Sequence, residues 1–381
     1  MDFDLTEEQS LLRDSVTRLL ADAYDFDARK AITASPEGRS PAVWAQFAEM
    51  GLLGLPFAED DGGFGGGPVE TMIVMEAFGE ALVVEPYLAT VVLGGGFLRA
   101  AGSAAQKEVL IPGIVAGERL LAFAQTERQA RYDLCDIATT ARRSGDGWIL
   151  DGAKGVVLHG DSADTLVVSA RTAGGQRDSG GIGLFLVPAD APGVERRGYP
   201  TQDGMRAAEI SFTGVRVGPD AVLGDPEGGL AVIARVVDEA MAALCAEAVG
   251  AMAQSQALTL DYIKTRQQFG TAIGQFQALQ HRAADMFVAL EQARSMAMFA
   301  TMMAHEPDAD ARSRAVAAAK VQIGRSGRFV GQQAVQLHGG VGMTMEYRIG
   351  HYFKRLAMID TLFGDADHHL ARLATAGGLA A

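Results

Sequence analysis

Two glycine-rich segments are the first places in this chain where a backbone could come close to a phosphate: AEDDGGFGGG at residues 58–67 and QLHGGVGMTMEY at residues 336–347. Glycine leaves amide donors uncovered, and bare amides suit anionic oxygens. The first segment has neither the Walker spacing nor a strand–G-x-G-x-x-G–helix setting, so it reads as a surface turn. The second follows a long helical run with no strand before it, which argues against a dinucleotide-binding turn but leaves Gly339 and Gly340 as amide donors at a helix end. His368 and His369, beside Asp365 and Asp367 in GDADHHL, put four potential metal ligands within five positions. Adjacent residues on a helix diverge by about 100° and H-E-x-x-H is absent, so capping and surface solvation are expected there and no metal. No G-x-S-x-G elbow supports serine hydrolysis, and the methionines between 296 and 303 read as adaptable core filler.

The chain that carries these residues has 381 of them, 48% hydrophobic and 21% charged, with 46 glycines and 12 prolines. That is a globular composition with many tight turns, long enough for about two or three domains. A net charge of −14 repels nucleic-acid backbones and anionic membrane surfaces. Two cysteines, Cys135 and Cys245, fit a reducing compartment, and MDFDLTEEQ carries acids where a secretory signal has bases, so a cytoplasmic location is expected. The most apolar windows, 83–101 and 286–304, are interrupted by charges or proline and read as core helices.

Three regions position the chemistry. The first, 1–118, reads as all-helical: Thr6 and Gln9 have capping-box spacing, Pro41 and Gly51 bracket a second helix, and further runs cover 69–82 and 104–116. The second, 119–228, holds short β-branched or alternating runs at 139–143, 147–151, 165–170, 183–187 and 208–212, separated by turn-forming clusters. The third, 229–381, returns to helices at 232–266, 276–306, 308–337 and 366–376. The expected architecture is α+β multidomain: an N-terminal all-α domain, a middle β-barrel domain and a C-terminal four-helix bundle.

In this order, LTEEQ, QKEVLIPGIVAGE, AFAQTE, TRQQFG and AVQLHGGVGMTMEY resemble the acyl-CoA dehydrogenase family over essentially the whole chain. The resemblance implies FAD as cofactor, an acyl-CoA thioester as substrate and an electron-transfer flavoprotein as electron acceptor. In the family a glutamate removes the α-proton while the flavin accepts a hydride from the β-carbon, and each FAD is shared between two subunits. It implies that Arg266, Gln268, Phe269, Gln277, Gln336, Gly339 and Gly340 reach across to a neighbour's FAD, and that Thr126 meets the flavin's pyrimidine edge. A guanidinium and free amides are suitable donors for a diphosphate.

The chain also departs from the family pattern. Where T-E-P-G-A-G-S-D is usual it reads TERQARYD, with Arg131 and Tyr132 at a glycine–serine turn, and E-K-x-W-I-T-N-G becomes AKGVVLHG, with Val156 and Leu158 beside the ring. The catalytic glutamate's place in Y-E-G-T is taken by Phe363 of LFGD, and the alternative place, counted back from Arg266, by Ala240. Neither side chain can take a proton, which leaves Glu247 and Glu239 as weak candidates for the base. The GDADHHLARLA tail and the DEAMAALCAEAVG helix resemble the small-subunit type of hetero-oligomeric α₂β₂ bacterial members. Three readings follow: a subunit that lends FAD-binding residues to a sister chain, a self-sufficient homo-oligomer with a displaced base, and a non-catalytic structural partner.

Overall fold

The computed structural model describes residues 4–377. In chain order the helices α1 (Glu7–Ala23), α2 (Phe26–Ala34), α3 (Pro41–Glu49), α4 (Pro68–Ala81), α5 (Gly95–Ala101) and α6 (Ala104–Val115) precede any strand. Strands β1 (Leu121–Ala124), β2 (Thr140–Ser144), β3 (Gly147–Leu158), β4 (Thr165–Arg171), β5 (Ile182–Pro188), β6 (Val194–Pro200) and β7 (Arg206–Val217) follow. Then come α7 (Gly229–Thr265), the hairpin β8 (Gln267–Gln268) and β9 (Thr271–Ala272), α8 (Gln277–Met303), α9 (Ala309–His338), α10 (Ile349–Thr361) and α11 (Ala366–Thr375). This is the expected order: an N-terminal helical part, a middle β part and a C-terminal helical bundle. Among the described residues no helix is long and apolar enough to cross a membrane.

Local chemistry sets the helix ends. Thr6 and Gln9 close the capping box on α1, and Ser103 with Gln106 closes a second on α6. Ser40 caps α3 with Pro41 in its first turn, and Gly51, at φ 80°, follows its end. Residues 83–101 are not one helix as their composition suggests. A stretch without helix precedes a π-helical segment, Leu88–Gly94, and only then α5. The wider π turn serves a purpose at β1, where Thr90 Oγ1 both donates to the Leu121 carbonyl and accepts from the Leu121 amide, at 3.2 Å each. The free edge of β1 is thereby covered.

The chain divides into two compact units. One comprises Ala31–Gly67 and Val84–Ala240; the other comprises the segments up to Lys30, Pro68–Val83 and from Met241 onward. In the first, the seven strands form one sheet of order β1-β4-β2-β3-β7-β6, with β5 added to β4. β1 and β4 run parallel, while β3 and β7 form a long antiparallel pair with two register shifts. β1 and β6 carry no clear turn-bounded alternation, and sequence patterning passes over both. The inner face packs Trp148 edge-on to Phe185 among Leu150, Leu166, Val168 and Phe212.

In the second unit α4 and α7 cross with their backbones in contact. A Cβ at Gly79 would stand 1.9 Å from the Glu247 carbonyl oxygen, and one at Gly250 would stand 1.9 Å from the Glu76 carbonyl oxygen. Glu76 in turn pairs with Arg294 of α8. Lys320 of α9, wholly buried, donates to the carbonyls of Ile359, Asp360 and Leu362 and so caps the end of α10. Replacing helical glycine by alanine ordinarily stabilises a helix by about 1 kcal/mol. Gly79→Ala and Gly250→Ala should instead each destabilise this bundle by about 3 kcal/mol, read as a lowered urea midpoint and Tm.

Candidate functional site

The segment after β1 is built on one buried ion pair. Glu127 accepts from Lys154 Nζ at 2.7 Å, and both side chains are almost completely buried. Lys154 also donates to the Gln125 carbonyl and to Ser169 Oγ, while Glu127 takes the amides of Ala138 and Thr139. Burial alone would raise the Glu127 pKa. The Lys154 charge, with donors from Lys154, Gln129 and Thr139, holds it below the usual carboxylate value instead. Lys154 falls at the inward parity of Trp148 and Leu150 on β3, so a buried lysine needing a carboxylate was readable in the alternation, yet sequence reasoning passed over both residues.

This pair organises the TERQARYD turn and the bulge facing it. The Gly155 amide donates to the Thr126 carbonyl at 2.8 Å, and Thr126 itself is exposed. Arg131, standing where the family pattern has glycine, adopts φ 51°, and Val156 adopts φ 52°, a costly conformation for a β-branched residue. The Tyr199 hydroxyl donates to Glu209 Oε1 at 3.0 Å. Both bends are thus held with side chains much larger than glycine. Arg171 pins the adjoining loop by donating to the carbonyls of Cys135, Gln176, Asp178 and Gly180.

A second set of residues gathers in the other unit. α7 ends at Thr265, and Phe269 and Gly270, at φ 55° and 78°, form the two-residue turn between β8 and β9. Such turns favour Asn-Gly because both residues need positive φ. Here a phenylalanine occupies the first position and is 92% exposed, edge-on to Phe276. Tyr262, one turn before Arg266, stacks on His338 with centroids 4.4 Å apart, and Arg282 donates to Gln333 at 2.8 Å. These contacts set the start of α8 and the ends of α7 and α9 side by side. Arg266, Gln268, Gln277, Gln336, Gly339 and Gly340 are all exposed there.

Gly339 adopts φ 59° and ψ −139°, open in practice only to glycine, and neither it nor Gly340 has a neighbour within 4 Å of where a Cβ would lie. His338, buried beside them, hydrogen-bonds through Nδ1 to the Ala334 carbonyl at 2.8 Å, and burial holds its pKa below the ordinary histidine value. The Gly339 amide, expected as a free donor, is instead taken by the Gln336 carbonyl at the end of α9; what this surface offers a diphosphate is the exposed Arg266 guanidinium beside glycine backbone that nothing covers.

At the positions considered for the base, Ala240 is fully buried and Phe363 sits at φ 58° on the corner between α10 and α11. Glu247 is buried in a two-point pair with Arg355, at 2.5 and 2.8 Å. Glu239 is paired with Arg99 at 3.1 Å and Arg235 at 3.2 Å. Both carboxylates are committed to guanidinium groups.

The histidine pair behaves differently from expectation. Asp365 caps α11 through the His368 amide, but His369 is completely buried rather than solvated, with Nε2 at 3.1 Å from the Phe363 carbonyl.

Two outcomes test this geometry. Lys154→Met leaves a buried carboxylate unpaired and should cost about 3–5 kcal/mol, measured by chemical denaturation. Burial, with Lys320 and Arg372 nearby, lowers the His369 pKa to about 3, so the unfolded chain binds its proton first as pH falls. Stability should therefore drop below about pH 6.5, by about 1 kcal/mol per pH unit from this group down toward about pH 3. In His369→Gln that part of the slope should vanish.

Comparison with known proteins places the chain in a family. Family models described as acyl-CoA dehydrogenase N-terminal, middle and C-terminal domains match residues 6–118, 122–215 and 227–377. The chain is 30% identical to the probable acyl-CoA dehydrogenase YngJ of Bacillus subtilis, covering 99% of both chains. Among solved structures it is similar to a variant of the Tcur3481–Tcur3483 steroid ACAD, at 31% identity and TM-score 0.88, covering 98% of this chain and 99% of that one. It is also similar to the FAD complex of PigA, at 28% identity and TM-score 0.91 over all of both chains. The chain belongs to the acyl-CoA dehydrogenase family, and its cofactor is FAD.

Proposed function

We propose that this protein is a subunit of an FAD-dependent acyl-CoA dehydrogenase, desaturating an acyl-CoA thioester between its α and β carbons within a hetero-oligomer. A sister acyl-CoA dehydrogenase chain supplies the base, and this chain contributes FAD-binding residues across the interface. The observation carrying this reading is an asymmetry. The surface of Arg266, Phe269, Gly339 and Gly340 is assembled and exposed, whereas both base positions hold apolar residues and Glu247 and Glu239 are tied to arginines. The likeness to a steroid enzyme named for two proteins supports it further.

When bound, the flavin supplies hydride acceptance. On this chain, Arg266 would meet the diphosphate, Gly339 and Gly340 would let it come close to the backbone, Phe269 would pack on the adenosine side, and Gln268, Gln277 and Gln336 would flank it. Thr126 offers an exposed hydroxyl toward a pyrimidine edge, but Arg131, Tyr132, Val156 and Leu158 replace the small and hydrogen-bonding residues that its relatives use around the ring. The regions 1–118, 119–228 and 229–381 act as the three domains of this subunit. Electrons leave to an electron-transfer flavoprotein, and the subunit works in the cytoplasm.

Co-purification from the native source should yield two dissimilar chains with about one FAD for every two chains, by intact mass and flavin absorbance. Arg266→Ala should weaken FAD retention in that complex by about tenfold or more, leaving assembly intact. Dye reduction with an acyl-CoA by this chain alone would overturn the split site in favour of a self-sufficient homo-oligomer.

A further inference from the structure

His338 is the last residue of α9 and only 2% exposed, and the loop beyond it returns to the same side chain. The loop leaves at Gly339 and lies on the helix end at Gly342, where a Cβ would stand 3.0 Å from the His338 Cβ. It comes back at Tyr347, whose ring centroid is 5.1 Å from that of the imidazole. Tyr262 of α7 stacks on the same imidazole at 4.4 Å. The Tyr262 carbonyl accepts the Arg266 amide at 2.8 Å, so the residue that braces His338 also fixes the backbone of Arg266. One imidazole therefore ties the end of α7 to both ends of the loop that exposes Gly339 and Gly340.

The chemistry of that imidazole is fixed by its surroundings. A carbonyl can only accept, so the 2.8 Å contact of Nδ1 with the Ala334 carbonyl places the ring proton on Nδ1. Nε2 is then the bare nitrogen, enclosed and without a hydrogen-bond partner. A proton added there would be a buried donor with no acceptor, carrying a charge out of water. Tyr262 and Tyr347 are the titratable groups against the ring, and Asp261 and Arg348 act on Tyr347 with opposite signs. Burial lowers the His338 pKa, and the bond to Ala334 opposes it more weakly. The closed loop thus accepts the neutral ring, whereas a loop lifted off α9 leaves an ordinary histidine in water.

We propose that His338 is a positioning residue for the FAD diphosphate, its neutral ring clasping the loop of Gly339 and Gly340 beside the backbone of Arg266. Cofactor retention is coupled to its protonation. The opened loop takes up a proton that the closed loop refuses, so as pH falls below about 6.5 the closed form loses up to about tenfold per pH unit, until the lowered pKa of the closed form is reached. The inference rests on the reading that this surface meets FAD, and it holds whether the neighbouring subunit is a sister chain or a second copy of this one.

The test uses the assembled, FAD-loaded oligomer with whichever subunit co-purifies. Release of FAD is followed by flavin fluorescence between about pH 7.5 and 5.5, with circular dichroism establishing that the chains stay folded over that range. Wild type should lose FAD progressively toward the acid end. His338→Ala removes both ring contacts and should weaken retention by about tenfold at about pH 7.5. His338→Phe keeps a stacking ring that takes up no proton. It should hold FAD within about twofold of wild type at about pH 7.5 and show no acid release.

Wild-type retention that does not change with pH, or acid release by His338→Phe along the wild-type profile, overturns the proposal and leaves the FAD-facing surface standing. So does full retention by His338→Ala, or loss of FAD from His338→Phe at neutral pH. Where His338→Ala does not assemble, the profile of His338→Phe decides. If Arg266→Ala holds FAD as tightly as wild type, the surface does not meet the cofactor, and that reading fails together with this inference.

Discussion

The helical bundle depends on the contact of α4 with α7 at Gly79 and Gly250, where two backbones touch with no side chain between them. At that distance only hydrogen fits at either Cα, so the contact fixes both the separation and the rotation of the helices. The rotation turns Glu247 toward Arg355, which ties α7 to α10 through two charge-assisted bonds in the interior. α10 is then capped by Lys320 from α9, and the corner beyond it is held by His369. A carboxylate that sequence spacing makes eligible for proton abstraction is, in this packing, an internal tie between helices.

The β part rests on a comparable device. Glu127 and Lys154 are buried together and gather the amides of residues 138 and 139, the carbonyl of Gln125 and the hydroxyl of Ser169 around one charge pair. Replacing one member is costly because the other would stay buried as a bare charge. The pair holds the turn containing Arg131 and the bulge containing Val156, both in conformations that glycine would adopt without strain. Both bends persist with side chains larger than glycine, and strain concentrated this way marks a functional position more often than a neutral loop.

The two surfaces differ in kind. Around Arg266, Phe269, Gly339 and Gly340 the chain exposes what a folded protein ordinarily covers: a phenylalanine on a tight turn, uncovered glycine backbone and an apolar stripe on α8. Ala240 is buried and apolar, and the nearby carboxylates Glu239 and Glu247 are each paired with arginine.

Much of this was legible in the sequence because the signals are local. Capping boxes at Thr6 and Ser103, the Pro41–Gly51 bracket and the long alanine-rich runs act within a few residues, so the helix, strand, helix order and the family motifs follow from reading along the chain. β1, β6 and the π turn at Thr90 were not legible, because their hydrogen bonds are completed by partners distant in sequence. The sequence alone determined the family and the cofactor class. Only the tertiary structure decided that Glu247 is bound to Arg355, that His369 is buried, and that Arg131 and Val156 keep glycine-like backbones. Each of these is a question of which distant group lies within about 3 Å, and only folding sets that distance.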